Sequence, residues 1–487
     1  MVSSVRPSAT ALAQMIGGWQ GRPGPAYRGL AAAIRQSVLD GRLAIGARLP
    51  AERELSRALG VSRTTVAGAY SALRDDGWLA SRRGSGSVVT AGSGSFYDSG
   101  LVPVRRPADP EADIIDLTTA GRAAPDDLLD AAIDRAVDRM RGLYRTDGYF
   151  PLGVPELREA IAARYVAAGV ETSADQILVT NGAQHGFSLA LGDLTHALDR
   201  VIVESPTYPM ALDLIRHTGR VPSPVGLLPD NDQPWMHDLL RSAFRQSAAS
   251  TAFLMPDFQN PTGALMDAET RALVMQLSEE SGTVVMVDES FRLMALEERT
   301  LPPPMSYFDA RNSGVSIGSL SKPVWGGLRI GWVRAGSAVV GRLGVARALG
   351  DMSGPLLDQL IAVEMMPDLD AAARRQAARM RENFDVLRAA LAQQAPSWEV
   401  IRPAGGATVW VRLPQAVATD AARLAPRHGV LIVPGTRFGP DGTMDNYLRI
   451  PLTPQTERLR AAIPRIVTAV QAAEATDVPA RVAGWLT

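Results

Sequence analysis

The sequence predicts two folds in one chain: an α+β winged helix-turn-helix over residues 20–90 and an α/β three-layer body over 114–487, joined by a linker at 91–113. Three observations predict them. From Asp116 onward, short apolar runs alternate with helical stretches, the pattern of a mostly parallel sheet covered on both faces. Two short helices around a tight Gly turn, followed by a basic hairpin, occupy residues 52–90. Charge is also shared unevenly. Residues 1–106 hold 14 Arg against six acids, while the whole chain carries a net charge of −1, so a basic first fifth precedes an acidic remainder. Such a division suggests a polyanion-binding module attached to a body of different purpose.

Composition narrows the chemistry. With 487 residues there is ample material for a large core and for two or three domains. The absence of cysteine excludes disulfides and thiolate metal sites, and five scattered His without ligand spacing predict no metal. No apolar run reaches membrane-spanning length, and Met1 to Ala13 lacks the charged start and apolar core of a signal peptide. The expectation is a soluble, cytoplasmic protein.

In the N-terminal module, Tyr27, Leu30, Ile34 and Val38 recur at helical spacing, with Gly41 as the stop. A turn-rich stretch (41–50) leads to a short helix, Glu52 to Leu59, ended by Gly60. Ser62 is the expected N-cap of the next helix, whose core face is Val66, Tyr70 and Leu73 and whose stop is Gly77. The second helix of such a pair enters the major groove by its first residues, here Ser62, Arg63, Thr64 and Thr65: short donors plus one Arg able to reach guanine or phosphate. Residues 78–81 and 87–90 read as strands around Arg82-Arg83-Gly84-Ser85-Gly86, a wing with a basic tip. Ala91 to Asp113 is rich in Gly, Ser and Pro and reads as an extended connector, with Arg105 and Arg106 solvated.

The body's strands are expected at 177–180, 201–204, 251–255, 284–287 and 315–318. Ligands of parallel sheets gather at the strands' carboxyl ends, so the residue following each strand carries the argument. Thr180 is followed by Asn181-Gly182-Ala183-Gln184, a helix start whose N–H groups suit phosphate. After Glu204 comes Tyr208, after Met255 comes Asn260, and the fourth strand delivers Asp288. The fifth delivers Ser319, Ser321 and Lys322, with Arg329 close behind. Lys322 is the single lysine beside 49 Arg. An Arg cannot form an imine, whereas a lysine amine can attack a carbonyl. The set describes a phosphate (Gly182, Ala183, Gln184, Ser319, Arg329), a flat ring (Tyr208), a ring oxygen (Asn260), a basic ring nitrogen (Asp288) and an aldehyde (Lys322). That ligand is pyridoxal 5′-phosphate. Each element alone is weak; their order is specific.

Two resemblances follow from these motifs. The stretch LPAERELSRALGVSRTTVAGAYSALRDDGWLASRRGSGSVV resembles the GntR family of winged-helix regulators. That resemblance adds Arg53, Arg82 and Gly84 to Ser62, Arg63, Thr64 and Thr65 as DNA-contact candidates, with Arg48 a weaker one. The pieces YFPLGVPELREAIAARY, ILVTNGAQHG, VESPTYP, FQNPTG, VVMVDES, SLSKPVWGGLRIGW and NYLRIPLT resemble the fold-type I, class I/II aminotransferases over about 115–480, with a small C-terminal α+β part from about 390. It implies that Lys322 is the catalytic lysine and forms an internal aldimine, that Asp288 binds the ring nitrogen and Asn260 the ring oxygen, and that Tyr208 stacks on the ring. It also implies that Arg329 and Ser319 bind phosphate, that Arg449 holds an effector carboxylate, and that Tyr149 reaches a partner subunit's phosphate. One departure stands out: Ser290 and Phe291 occupy positions where such proteins place a Tyr, which disfavours efficient turnover.

The fusion resembles the MocR/GabR group of transcription regulators. It implies a homodimer on double-stranded operator DNA, each reader packed on the partner's body in domain-swapped fashion, with an amine, an amino acid or pyridoxal phosphate as effector. The alternative is a working aminotransferase that carries a DNA-binding domain. Arg374, Arg375, Arg379 and Arg381 read as a solvated helix face.

Overall fold

The computed structural model describes residues 7–17, 19, 25–39, 43, 47–75, 78–82, 86–89, 114–121, 123–124, 126–231, 233–440 and 442–482. The chain divides into two compact units, residues 1–112 with 479–487 and residues 113–478. The whole of the 91–113 linker, with Arg105 and Arg106, lies outside the described residues, as do Gly41, Gly77, Arg83 and Gly84.

The N-terminal unit contains α1 (Ala9–Ile16), α2 (Ala26–Leu39), α3 (Glu52–Leu59) and α4 (Arg63–Asp75), then β1 (Leu79–Arg82) and β2 (Gly86–Val89). Helix α1, capped by Ser8 and burying Leu12 and Ile16, was not anticipated from sequence. Helix α3 stops at Gly60, which takes a left-handed conformation (φ +66°) that side chains resist. Ser62 caps α4: its Oγ accepts from the Thr65 N–H at 3.1 Å. Leu30, Ile34, Leu55, Val66, Tyr70, Leu73, Leu79 and Val89 form one core. Tyr70 donates to the Pro50 carbonyl at 2.9 Å, tying α4 to the approach of α3. The wing strands are antiparallel, with Arg82 opposite Gly86.

The body holds a seven-stranded sheet built from β4 (Ile177–Thr180), β5 (Arg200–Ser205), β6 (Val221–Gly226), β7 (Thr251–Leu254), β8 (Val284–Asp288), β9 (Val315–Ser319) and β10 (Gly331–Arg334). Numbering β3 (Ile115–Asp116) first, the sheet runs β4-β10-β9-β8-β7-β5-β6. Strands β4 and β7 are buried along their whole length, as expected of a sheet covered on both faces. Two strands of this sheet escaped the sequence reading. β6 (VPSPVG) is an edge strand whose Pro222 and Pro224 mask its strand character while blunting the free edge. β10 is antiparallel to both neighbours.

β10 matters for the site. Gly331 pairs with both Thr180 and Ser319, so the loop preceding it returns to the carboxyl ends of β4 and β9. A Cβ on Gly331 would lie 2.5 Å from the Gly182 backbone, which reserves this position for glycine. A second sheet at the C-terminal end contains β11 (Glu399–Val400), β12 (Thr408–Arg412), β14 (Val433–Pro434) and β15 (Tyr447–Pro451). Between them β13 (Val430–Leu431) pairs in parallel with β3, so the residues immediately after the linker join the C-terminal part.

Candidate functional site

Five strand ends converge on one rim. At β4, Gly182 has φ +84°, and a Cβ there would come within 2.7 Å of Arg329 Nη2. Arg329 itself is left-handed (φ +53°) and donates from Nη2 to the Asn181 carbonyl at 2.6 Å. Ser319 Oγ accepts from the Ser321 N–H at 3.0 Å and donates to the Ser321 hydroxyl at 2.9 Å. The start of the helix Ala183–Leu194, with Ala183 and Gln184, therefore faces a cradle of backbone N–H groups, a hydroxyl pair and a guanidinium.

Lys322 lies on the π-helical turn Ser321–Trp325 that follows β9. Its Nζ donates to the Ala120 carbonyl at 3.2 Å and stands 5.3 Å from the centre of the Phe291 ring. Burial, reinforced by the Arg449 charge, lowers its pKa to about 8, against an opposing pull from Asp288. An amine that sheds its proton this readily is a competent nucleophile. Asp288, at the end of β8, is buried; its Oδ1 accepts from the Ser290 N–H at 2.8 Å, and burial holds its pKa above the usual carboxylate range. Phe291, not a tyrosine, is the aromatic residue beside the lysine.

Asn260 leaves its Oδ1 buried without a partner, a polar group aimed at something the protein does not supply. Tyr208 precedes the helix Pro209–His217, and burial raises its phenol pKa to about 12. Arg449, on β15 opposite Trp410, is 7 % exposed and lowered by burial to about 10. Its Nη2 donates to the Thr118 carbonyl, and its Nε is buried without a partner. A desolvated guanidinium with spare donors is suited to a carboxylate. These orphaned groups, the glycine cradle and the neutralisable lysine fit pyridoxal phosphate.

Sequence reasoning did not find Thr118 and Ala120, whose carbonyls hold Arg449 and Lys322. Backbone acceptors leave no signature in residue type. Tyr149 is 58 % exposed, and Arg374, Arg375, Arg379 and Arg381 are exposed on the helix Leu369–Gln394, where Arg375 pairs with Asp127 at 3.0 Å.

In the N-terminal unit, Arg53, Ser62, Arg63 and Thr64 are exposed and Thr65 half-buried. Arg63 pairs with Glu52 at 3.7 Å, and its side chain remains 72 % exposed. The Ser62 hydroxyl contacts those of Thr64 (2.7 Å) and Thr65 (2.8 Å). The start of α4 thus offers an exposed cation, only loosely paired with Glu52, beside three linked hydroxyls. Arg82 closes β1 at the wing, while Gly84 lies outside the described residues.

Residues 117–466 match the family of class I and II aminotransferases. The chain belongs to that family. Residues 26–89 of this aminotransferase-family chain match the gntR family of bacterial regulatory proteins. The two matches make it a GntR-type regulator domain fused to an aminotransferase domain. A relative similar across both domains is the uncharacterized HTH-type transcriptional regulator YisV of Bacillus subtilis, 26 % identical over 453 residues, covering 88 % of this chain and 92 % of the relative. The 2-aminoadipate transaminase of Thermus thermophilus is 29 % identical over 314 residues, covering 63 % of this chain and 75 % of that enzyme. Among solved structures, the α-aminoadipate aminotransferase LysN of Thermus thermophilus, complexed with N-(5′-phosphopyridoxyl)-L-leucine, superposes with a TM-score of 0.66. It is 25 % identical, with 75 % of this chain and 94 % of LysN covered. Among the described residues no helix is long and apolar enough to cross a membrane, and no cluster of metal-ligating side chains occurs.

Proposed function

We propose that this chain is a transcription regulator of MocR/GabR type that binds pyridoxal 5′-phosphate and uses it to sense an amine, an amino acid or the cofactor itself. One observation carries the reading: a GntR-type reader is fused to a body that keeps the cofactor set Lys322, Asp288, Asn260, Ser319 and Arg329 but places Phe291 beside the lysine. Bound there, pyridoxal phosphate supplies an aldehyde that takes up amines and a ring that draws electrons from them.

The chain's own residues divide the work. Gly182, Ala183, Gln184, Ser319 and Arg329 hold the phosphate, and Tyr208 covers the ring. Asn260 meets the ring oxygen. Asp288 meets the ring nitrogen and keeps a proton on it. Lys322 supplies the amine, already inclined to neutrality, and Arg449 takes the carboxylate of an amino-acid effector. Phe291 brings an apolar ring where a phenol would hold a proton, which favours reporting over turnover. Operator contact falls to Arg53, Ser62, Arg63, Thr64, Thr65, Arg82 and Gly84. Two copies of the reader suit paired half-sites, so the acting form is a homodimer, domain-swapped as in its group, in the cytoplasm.

The test is direct. The purified protein should be yellow and lose its visible band with borohydride, and Lys322→Ala should be colourless. A colourless native protein that pyridoxal phosphate does not reconstitute would sink this reading. Arg449 and the similarity to a transaminase favour a second reading, a working aminotransferase. Steady turnover with a panel of amino donors and keto acids would establish it.

A further inference from the structure

We propose that Glu204 and Gln259 are positioning residues that lock the Tyr208 loop to the Asn260 loop at the edge of the site. This rests on the roles given above to Tyr208 and Asn260. The two loops follow different strands, β5 and β7. Gln259 is fully buried and uses both ends of its amide. Its Nε2 donates to Glu204 Oε2 at 3.1 Å and to the Pro206 carbonyl at 2.7 Å. Its Oε1 accepts from the Thr262 hydroxyl at 2.8 Å and the Thr262 N–H at 3.2 Å. One side chain thus grips the chain two residues before Tyr208 and two residues after Asn260.

Glu204 anchors the grip. It is 1 % exposed, and no cation pairs with it among the described residues. Trp235 Nε1 donates to its Oε1 at 2.8 Å, the Met255 N–H lies 3.3 Å from both oxygens, and Gln259 completes the set. Every neighbour is a donor, so the ionised carboxylate satisfies all of them. A protonated carboxyl places an O–H among N–H groups, and one donor loses its acceptor. Burial, opposed by those bonds and aided by repulsion from Asp288 on β8, brings the carboxyl pKa up to about 7. The clamp is therefore complete above neutrality and loosens in mild acid.

The experiment measures pyridoxal phosphate dissociation constants of the full-length protein, Gln259→Leu and Glu204→Gln across about pH 6 to about pH 8. Gln259→Leu should weaken binding about tenfold at the alkaline end, since bonds to a charged group and a loop carbonyl are lost. The native-to-Glu204→Gln affinity ratio should grow as pH rises through neutrality, a change from which the titration of free pyridoxal phosphate cancels. Should both variants bind as the native protein does, or the ratio stay flat, the clamp is refuted while the cofactor reading stands. If the native protein binds no pyridoxal phosphate, both fall. Should the variants not fold, the Trp235 indole N–H resonance of the native protein decides: a shift with a midpoint near neutrality supports the clamp, and its absence overturns it.

Discussion

Lys322 is buried where its charge is disfavoured, and that has a thermodynamic consequence. The folded chain releases the proton near pH 8, while an unfolded lysine keeps it to about 10.5. Between those values the unfolded state binds more protons, so stability of the cofactor-free protein rises with pH across that window. Below it both states are charged and the penalty is full. Lys322→Met should stabilise the cofactor-free protein at neutral pH by on the order of 2 kcal/mol and flatten the alkaline rise; denaturant unfolding at neutral and alkaline pH checks both. Phe291 is the other telling residue. Phe291→Tyr returns a phenol beside the lysine and should move the pH midpoint of the bound cofactor's visible band. An unmoved midpoint would mean the phenol's absence does not shape the site.

Two elements show how local chemistry sets position. Helix α4 begins on Ser62, so Ser62→Ala should cost about 1 kcal/mol of stability and weaken operator binding as the helix start frays. Arg63→Ala should leave stability within about 0.5 kcal/mol, since its side chain is exposed and its ion pair superficial, yet lose operator affinity. Equal affinity for Arg63→Ala and native protein in a gel-shift titration would displace α4 from the groove. In the body, the Asn260 loop and the segment after β8 are joined by a buried triad. Asp257 Oδ1 accepts from Arg271 at 2.8 Å and Arg292 at 2.9 Å. Asp257→Ala strands two cations, one of them wholly buried, and should cost about 3–5 kcal/mol by denaturant unfolding. A loss below about 1 kcal/mol would show that carbonyls of Pro256, Pro302 and Pro303 satisfy both Arg unaided.

At the scale of the molecule, charge and fold divide along the same line. The surplus of eight positive charges lies in residues 1–106, which include the reader, and the acidic remainder forms the aminotransferase body. Operator affinity should therefore fall steeply with salt, and Arg63→Ala should reduce the logarithmic salt slope by about 1 if Arg63 meets a phosphate. An unchanged slope with lower affinity would instead assign it to a base edge.

The sequence by itself determined the two fold types, the strands from β4 to β9 apart from β6, the helices α3 and α4, and the identity of the lysine. Those features are written locally: apolar runs of strand length, Gly60 and Ser62 at helix ends, and a single amine in an arginine-rich chain. Tertiary structure decided what depends on distant segments meeting. Prolines hid β6, whose place at the sheet edge is what permits them. The antiparallel return of β10 brings Arg329 to Gly182, and β3 crosses to β13 so that Thr118 and Ala120 reach Arg449 and Lys322. Glu204 and Gln259 lie 55 residues apart. Both stood inside legible motifs, yet their bond exists only because parallel strands place two loops side by side. Lysine's type was fixed by sequence; its lowered pKa comes from the walls that folding puts around it.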